Sequence, residues 1–424
     1  MKKHLLALSA AAVLLAPQAV GAEGFSINEW SAEGFGMGGA RMFAENDAAN
    51  MAYNPASMTK IQGEKAKISV AYIAPHGKWS ADDKYQTGKD VTGHNRVNPA
   101  YAPGMYYVKQ LNDKEWFGMG TYARFGNMCQ FERDSIVGSN AFSSRMNGVS
   151  LGVNYARKHD KKWSTSVGAE INYVGLQLDK NLATIAPLHV EGTSWALGWN
   201  AAANYEFDDK NEFGVVYRSK VKHSMEADYD VHGMTDLGAM VGSILPNDMT
   251  GNAYGCVTLP ESWMLGYGHK FNDKTRMELN ATWTRWSRFD VFTMAMDGGF
   301  GAFTEALTGF AGSKSEKYWK DGWRYAIGIE HKLSDKYSLL AGIAHDERGI
   351  PDETGDFMVP TGERDTYSLG VQYHDKKQTI AFSMGYMDVG DLNMKGHTVT
   401  DAYSKAHMHD SYTKIFVLSY QYNF

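Results

Sequence analysis

The amino-acid sequence predicts an all-β fold, a single closed antiparallel β-barrel of fourteen strands with an N-terminal plug in its lumen. Three observations predict it: a secretory signal at the start of the chain, a regular alternation of short and long connections, and strands with one apolar and one polar face. The composition agrees, because Gly (44), Tyr (24) and Trp (11) are abundant and Pro (10) is scarce, as expected for a chain built from many strands.

The first 22 residues have the pattern of a secretory signal peptide. Lys2 and Lys3 precede a short apolar stretch at 5–15, and the small residues at 20–22 form a cleavage site. The apolar stretch is too short to cross a bilayer as a helix, so the mature chain is expected to begin near Glu23. Removing the two lysines from 42 basic residues leaves 40 against 48 acidic ones, a net charge of about −8. Nucleic acid is therefore not expected as a partner.

The C-terminal segment, KIFVLSYQYNF, alternates between two faces as a β-strand does. One face is apolar and consists of Phe416, Leu418, Tyr420, Tyr422 and Phe424. The other face is largely polar and consists of Val417, Ser419, Gln421 and Asn423. We interpret the segment as the closing strand of the barrel, with its apolar face toward lipid. A terminal Phe is typical of outer-membrane barrels, where it is recognised during assembly.

Short and long connections alternate along the whole chain. Six short charged connections lie at 112–114, 159–162, 208–211, 272–274, 334–336 and 375–377. Seven longer loops lie near 75–98, 128–146, 180–191, 228–257, 291–320, 348–363 and 392–411. This asymmetry is typical of bacterial outer-membrane barrels, which have short periplasmic turns and long outer loops. The lipid requires closure, and the barrel is assigned to residues 63–424. A soluble β-sandwich is the alternative, but it leaves the loop asymmetry unexplained.

Residues 23–62 precede the first strand and are predicted to fold into the lumen as a plug, or hatch. Fourteen strands enclose more space than their own side chains fill. The segment contains aromatic residues that argue against the alternative, a flexible tail: Phe25, Trp30, Phe35, Phe43 and Tyr53. A short helix is expected near 44–51, ending before Asn54-Pro55-Ala56.

Strand phase places several cations on the inward face. In the strand after Asn211 these are Arg218 and Lys220, and in the segment after Trp319 it is Arg324. Two interpretations remain open. The cations form ion pairs with the plug, or one or two of them bind the carboxylate of an entering ligand.

Two of the outer loops are unusually apolar. One carries Leu237, Met240, Val241 and Ile244 at helical spacing, and the other carries Phe300, Phe303, Leu307 and Phe310. The two loops either pack on each other as a lid or leave an adaptable apolar groove, for which Met is well suited.

The sequence contains two cysteines, Cys129 and Cys256. In an oxidising compartment they either form a disulfide bond or remain free thiols. No cofactor or metal site is expected, because the histidines of AHMHD (406–410) lack further ligands at a suitable spacing.

Several segments together resemble the FadL/TodX family of outer-membrane transporters of long-chain fatty acids and other hydrophobic compounds. FSINEWSAEGFGMGGA, which begins at Phe25, and ENDAANMAYNPASM, with Asn54-Pro55-Ala56, resemble the family's hatch. LPES (259–262) followed by ATWTRWSRFD (281–290), and the segments 322–353 and 359–373, resemble its characteristic hairpins.

The resemblance implies a plugged fourteen-strand barrel, an apolar groove formed by two outer loops, an internal ligand pocket and a sideways exit into the bilayer. In that scheme a kink in the third strand opens the wall, and Gly118, Gly120 and Gly126 would permit it here. The expected function is non-enzymatic, passive transport of a fatty-acid-like molecule by a monomer in contact with outer-membrane lipid and lipopolysaccharide. The alternatives are a hydrophilic porin or structural outer-membrane protein, and an enzyme acting on lipids. The enzyme is disfavoured because the chain has no G-x-S-x-G sequence.

Overall fold

A computed structural model describes residues 24–398 and 400–424, so the predicted signal peptide lies outside the described residues. The strands are β1 (Glu64–Ala81), β2 (Thr92–His94), β3 (Ala100–Asn112), β4 (Glu115–Tyr122), β5 (Gly126–Gln130), β6 (Ser143–Lys158), β7 (Trp163–Leu182), β8 (Ala186–Glu206), β9 (Asn211–Arg218), β10 (Val221–Val231), β11 (Met249–Leu259), β12 (Ser262–Lys270), β13 (Thr275–Thr284), β14 (Val291–Met296), β15 (Gly312–Glu316), β16 (Gly322–Lys332), β17 (Tyr337–Asp346), β18 (Arg364–His374), β19 (Gln378–Val389), β20 (Leu392–Lys395) and β21 (Lys405–Asn423).

The helices are short and few. They are α1 (Ala32–Gly36), α2 (Asn50–Tyr53), α3 (Met234–Met240) and α4 (Gly298–Thr308), with 3₁₀ turns at Pro55–Lys60, Ile136–Ser139 and Trp286–Arg288. Among the described residues, no helix is long and apolar enough to cross a membrane.

The strands form one antiparallel sheet that closes on itself as a fourteen-stranded barrel. Five barrel strands consist of two consecutive segments, namely β4/β5, β9/β10, β11/β12, β13/β14 and β15/β16, while β2 and β20 are short additions to β1 and β21. The first and last strands close the barrel, with pairing from Lys65 opposite Asn423 to Ala81 opposite Ala406. The predicted strand number is therefore confirmed.

The predicted phase of the last strand is also confirmed. Phe416, Leu418, Tyr420 and Tyr422 are exposed on the outer face, whereas Val417, Ser419 and Gln421 are buried inside. The same alternation in the other strands gives the barrel an apolar outer surface that faces lipid.

One predicted long loop is wrong. The sequence suggested a loop near 180–191, but β7 and β8 continue as a hairpin that turns only between Leu182 and Ala186. Ala183 and Thr184 adopt positive φ values of 47° and 67°, as a tight hairpin turn requires. The strands extend beyond the membrane here, and polar residues in a protruding hairpin resemble a loop in the sequence.

Residues 24–61 contact inward-facing side chains around the barrel. The Ala32 amide donates to Ser419 Oγ (2.8 Å), the Gly38 amide to Ser368 Oγ (3.1 Å) and the Met42 amide to Glu278 Oε2 (2.5 Å). These acceptors lie on β21, β18 and β13, so the segment fills the space between opposite walls. We call residues 24–62 the plug.

Buried ion pairs join the plug to the wall. Lys67 of β1 is nearly inaccessible, and its Nζ lies 2.9 Å from Glu33 and 2.5 Å from Asp47. Arg41 of the plug lies 3.0 Å from Asp47 and 3.3 Å from Glu330 of β16. Because removing one partner leaves another charge buried and unpaired, such pairs are costly to break.

We expect Lys67→Met to destabilise the protein by about 3–5 kcal/mol, because two buried carboxylates lose their shared cation. The urea midpoint of unfolding in lipid vesicles measures the change. Lys65→Met is the matched control, since Lys65 is also buried on β1 but donates to the neutral Asn423 amide oxygen (3.1 Å). Equal shifts for the two variants would show that the Lys67 ion pairs do not hold the plug.

Candidate ligand pathway

The third barrel strand is interrupted between β4 and β5. Tyr122 pairs with Ser150 and Gly126 with Asn147, so the three residues 123–125 lie opposite two residues of β6, 148–149. An extra residue on one side is a β-bulge, which bends the strand. Gly148 makes room for the bend, because a Cβ atom there would collide with the Phe125 carbonyl oxygen.

Only one of the three glycines predicted to kink the wall lies at this bend. Gly126 is the residue at which pairing resumes. Gly118 and Gly120 lie in regular β4 ladder, opposite Val108 and Tyr106 of β3, so the prediction is wrong for these two. Their lack of a side chain instead admits Met58 and Met51 of the plug.

The bend interrupts the hydrogen-bonded ladder between the second and third barrel strands, and we call this break the wall gap. β3 pairs with β4 from Met105–Thr121 down to Asn112–Glu115. Residues 100–104 of β3 pair with β1 and, among the described residues, have no ladder partner on the β4/β5 side. Pro103 in this stretch has no amide to donate, as is typical of a free strand edge.

The start of the plug occupies the bend. The Gly126 amide donates to the Phe25 carbonyl (2.8 Å), and the Ile27 amide donates to the Arg124 carbonyl (2.9 Å). Trp30 Nε1 donates to the Ala123 carbonyl (2.5 Å). The Ala123 and Arg124 carbonyls and the Gly126 amide at the bulge are therefore satisfied by the plug.

Phe25 lies in an aromatic cage and is fully buried. Its ring centroid lies 4.8 Å from Trp286, 5.6 Å from Phe289, 5.8 Å from Trp319 and 5.9 Å from Phe125. Gly24, with φ of 60°, passes against the two tryptophans where a Cβ atom would collide. The cage is an apolar pocket whose present occupant is a side chain of the plug.

A cluster with excess positive charge lies beside the bend. Glu170 Oε1 accepts from Arg218 (2.5 Å) and from the Tyr122 hydroxyl (2.9 Å), while its Oε2 accepts from Arg124 (3.1 Å). All four side chains are buried. A cavity of about 40 Å³ adjoins the two arginines, Trp30 and Phe125. Two guanidinium groups share one carboxylate, so the cluster favours a further anion.

The structure separates the three predicted carboxylate-binding cations. Arg218 lies in the cluster just described. Arg324 is buried but lies 3.0 Å from Asp346 and donates to the Gly38 carbonyl (2.7 Å). Lys220 is exposed, so its predicted inward position is wrong. Ser219 and Lys220 interrupt the strand. Before them the even-numbered residues are buried, and beyond them the buried residues are Val221 and His223. A shift of one residue reverses the face of every residue that follows.

The two apolar outer loops form separate helices that pack on neighbouring strands: α3 contacts β8, and α4 contacts β11, β14 and β15. Leu237 and Phe300 are buried, and Phe300 lies 5.6 Å from the Tyr229 ring. The predicted helical face of the first loop is wrong beyond Met240, where α3 ends before Gly242, whose φ is positive at 71°. Four predicted groove residues are exposed: Met240, Val241, Ile244 and Leu307. Two others are half-buried, Phe303 and Phe310.

The Asn-Pro-Ala sequence fixes the plug to the wall. Asn54 Oδ1 accepts from the Ala56 amide (3.1 Å), and its Nδ2 donates to Asn204 of β8 (2.6 Å). Pro55 begins a 3₁₀ turn, a position at which its missing amide costs nothing.

The proposed disulfide bond is wrong. Cys129 is buried on β5 and Cys256 is exposed on β11, and both are free thiols. They lie on different parts of the wall, since Cys129 pairs with Ser144 of β6 and Cys256 with Ser224 of β10.

Sequence reasoning missed Arg124, Glu170 and the aromatic cage. Arg124 shares the inward phase of Tyr122, so the strand-phase argument that found Arg218 would also have found it. Trp286 and Trp319 lie between strand segments, where phase has no meaning, and only the fold brings them to Phe25.

A closed fourteen-stranded barrel with an apolar outer face, a buried plug and short turns at one end defines an outer-membrane transport protein of a Gram-negative bacterium. A family model described as "Outer membrane protein transport protein (OMPP1/FadL/TodX)" matches residues 12–424. The chain therefore belongs to this family, and the sequence-based assignment is confirmed.

Relatives agree with this assignment over almost their whole length. The long-chain fatty acid transport protein of Escherichia coli O6:H1 is 24% identical, over 93% of this chain and 91% of the relative, and outer membrane protein P1 of Haemophilus influenzae is 25% identical, over 94% and 92%. Among solved structures, a Pseudomonas aeruginosa FadL homologue superposes with a TM-score of 0.84 at 21% identity, covering 95% of this chain and 100% of that one. The Pseudomonas putida toluene transporter TodX superposes with a TM-score of 0.70 at 16% identity, covering 94% and 99%.

Proposed function

We propose that the protein is a passive, non-enzymatic channel for hydrophobic molecules with a carboxylate head, with long-chain fatty acids as the first candidates. The observation that carries the proposal is that one plug segment, residues 25–27, closes both the aromatic cage and the bent third strand. A molecule that displaces this segment from the cage also releases it from the wall.

Capture begins at the outer loops. Met240, Val241 and Ile244 on one loop and Leu307 on the other present apolar side chains to the outside, and flexible Met-containing surfaces accommodate varied apolar ligands. From there the ligand reaches the cage, where its acyl chain replaces the Phe25 ring. Its carboxylate pairs with Arg124 and Arg218, which together have one positive charge in excess of Glu170.

The exit is sideways, through the gap beside residues 100–104. A straight path would end in a cavity of about 700 Å³ at the short-turn end, lined by Glu33, Asp47, Lys67, Arg276 and Glu330 among other polar side chains. An apolar chain gains nothing by entering this charged vestibule, whereas the wall gap leads directly to lipid.

The choice of fatty acids over neutral hydrocarbons rests on charge. The relatives' names include both long-chain fatty acid transport and toluene transport. Toluene carries no charge, so a buried cationic cluster would not contribute to its binding.

One chain closes the barrel by itself, so the working unit is proposed to be a monomer.

Uptake in living cells tests the proposal. We expect a Gram-negative host without its own fatty-acid transporter to grow on a long-chain fatty acid as sole carbon source once it makes this protein. The double variant Met240→Asp/Leu307→Asp is expected to slow uptake at low fatty-acid concentration, because capture on the apolar loops is lost, and to recover at high concentration. Lys161→Asp/Lys336→Asp on the short turns is the matched control.

The same uptake assay distinguishes the proposed function from its rival, a hydrophilic porin. Passage of small sugars or ions without fatty-acid uptake would identify a hydrophilic porin and refute the proposal. Uptake of monoaromatic hydrocarbons in place of fatty acids would refute the proposed substrate but not the pathway.

A further inference from the structure

A groove of about 590 Å³ lies on the outer surface of the barrel, on strands β8, β9, β12 and β13. Small side chains line its lower part, namely Ala201, Ala203 and Val215. Large rings stand beside them: Trp199 lies 4.9 Å from Tyr217, which lies 4.7 Å from Trp263. The volume falls within the range of small-molecule sites, ~300–1,000 Å³. The groove is separate from the ligand pathway, since these side chains point to lipid and not to the lumen.

The groove lies about one membrane-spanning strand length from the short turns, level with the outer surface of the membrane. Trp263 and Trp283 are eight and nine residues from the turn at 271–274, and a strand that crosses a bilayer needs about 9–11 residues. β12 begins at Ser262 and β13 ends at Thr284, and the short turn that joins them, 271–274, lies at the other end of both strands. Trp263 pairs with Trp283, which pairs with Trp323. A row of aromatic side chains at this height is typical of the interface between hydrocarbon and head groups.

The rim of the groove above this row is positively charged. Glu261 accepts from Arg288 through both oxygens (2.9 and 3.2 Å) and from Arg285 (3.2 Å). Lys220 is exposed beside Trp199, because the Ser219 amide donates to the Trp199 carbonyl (2.9 Å), and Lys222 is exposed two residues further on. Asp321 also lies near Arg288, and its carboxylate accepts from the Ser287 amide (2.9 Å). Four cations against two carboxylates leave a net positive rim.

A cationic rim over an apolar groove matches an anionic amphiphile. Guanidinium groups bind phosphate through paired hydrogen bonds, and clusters of Lys and Arg at a membrane surface attract phosphorylated head groups. A neutral lipid would leave the rim without a partner. The outer leaflet that faces this rim is built from phosphorylated glycolipid.

We propose that the groove binds lipid A, the phosphorylated and multiply acylated glycolipid of lipopolysaccharide. One acyl chain lies against Ala201, Ala203 and Val215, and a lipid A phosphate pairs with Arg285 and Lys220. The site is independent of the transport function, because it faces lipid and uses none of the residues of the cage or the arginine cluster.

Native mass spectrometry of the full-length protein, incubated in mild detergent with purified lipid A, tests the proposal. We expect one bound lipid A per barrel. Lys220→Gln/Arg285→Gln should weaken binding about tenfold or more, because two charge-assisted contacts to the phosphate are lost. Lys161→Gln/Lys336→Gln on the short turns removes the same charge and should bind as the wild type does.

Two further measurements keep the proposal falsifiable if the first variant folds poorly. Ala201→Trp fills the groove without changing charge and should also weaken binding, and the heat-dependent gel shift of the barrel reports folding of every variant. Lipid A without its phosphates should bind weakly. Equal binding by the Lys220→Gln/Arg285→Gln variant would refute the phosphate contact, and equally tight binding of phosphatidylglycerol would refute lipid A as the specific occupant.

Discussion

Cross-linking the start of the plug to the bent strand should abolish fatty-acid uptake reversibly. Ser26 and Phe125 are antiparallel bridge partners, and opposed Cα atoms in such pairs lie ~4.5–5.5 Å apart, within reach of a disulfide bond. In the Ser26→Cys/Phe125→Cys variant the oxidised plug cannot leave the bend. Adding even ~2 kcal/mol to the cost of displacement lowers the open population about thirtyfold, so uptake should fall to background.

The reductant provides the internal control for this variant. Uptake should return on reduction, which distinguishes the effect of the disulfide bond from the effect of losing the Phe125 ring. The experiment is made in a Cys129→Ala/Cys256→Ser background, so that no native thiol competes. Ala344→Cys/Thr366→Cys joins two inward-facing partners of β17 and β18 and should leave uptake unchanged. Undiminished uptake by the oxidised Ser26–Phe125 pair would exclude plug displacement as a step in transport.

Replacing Arg124 by Met should reduce the affinity for fatty acid by about 10- to 100-fold, the worth of one charged hydrogen bond. The variant leaves Glu170 paired with Arg218 at 2.5 Å, so the cluster becomes neutral without leaving a charge unpaired. Binding of the corresponding methyl ester should hardly change, because the ester presents no carboxylate. Titration of purified protein with a fluorescent fatty acid, displaced by unlabelled acid or ester, measures both affinities.

Lys220→Met is the matched control for this measurement. Lys220 lies only two residues after Arg218 in the sequence, yet it is exposed on the outside of the barrel. Its removal should leave both affinities unchanged. Equal losses for acid and ester in Arg124→Met would indicate altered packing of the cavity, and a normal affinity for the acid would place the carboxylate elsewhere.

The architecture could be predicted from the sequence because its rules are local. Alternating faces and short charged turns repeat in every hairpin, and a bilayer admits only closed sheets. The prediction failed where one residue changes the phase, as at Ser219 and Lys220. It also failed where strands continue beyond the membrane, as in the β7–β8 hairpin.

The candidate site was less predictable because it depends on contacts between distant parts of the chain. The bend at 123–125 is stabilised by hydrogen bonds from residues 25–27, about a hundred residues earlier in the sequence. The glycines of the third strand suggested a bend but not its position, since Gly118 and Gly120 serve the packing of Met58 and Met51. Arg218 was identified by strand phase, whereas its partner Arg124 was overlooked.

The pairing of the first strand with the last one determines the order of events during biogenesis. The plug precedes β1 in the chain, yet its Ala32 and Ala48 amides donate to Ser419 and Gln421 of the final strand. The cylinder is completed only when that strand arrives, by contacts that span nearly the entire polypeptide, and such long-range contacts form slowly. The plug therefore completes its contacts only when the seam closes, because two of its amides bond to the last strand to arrive.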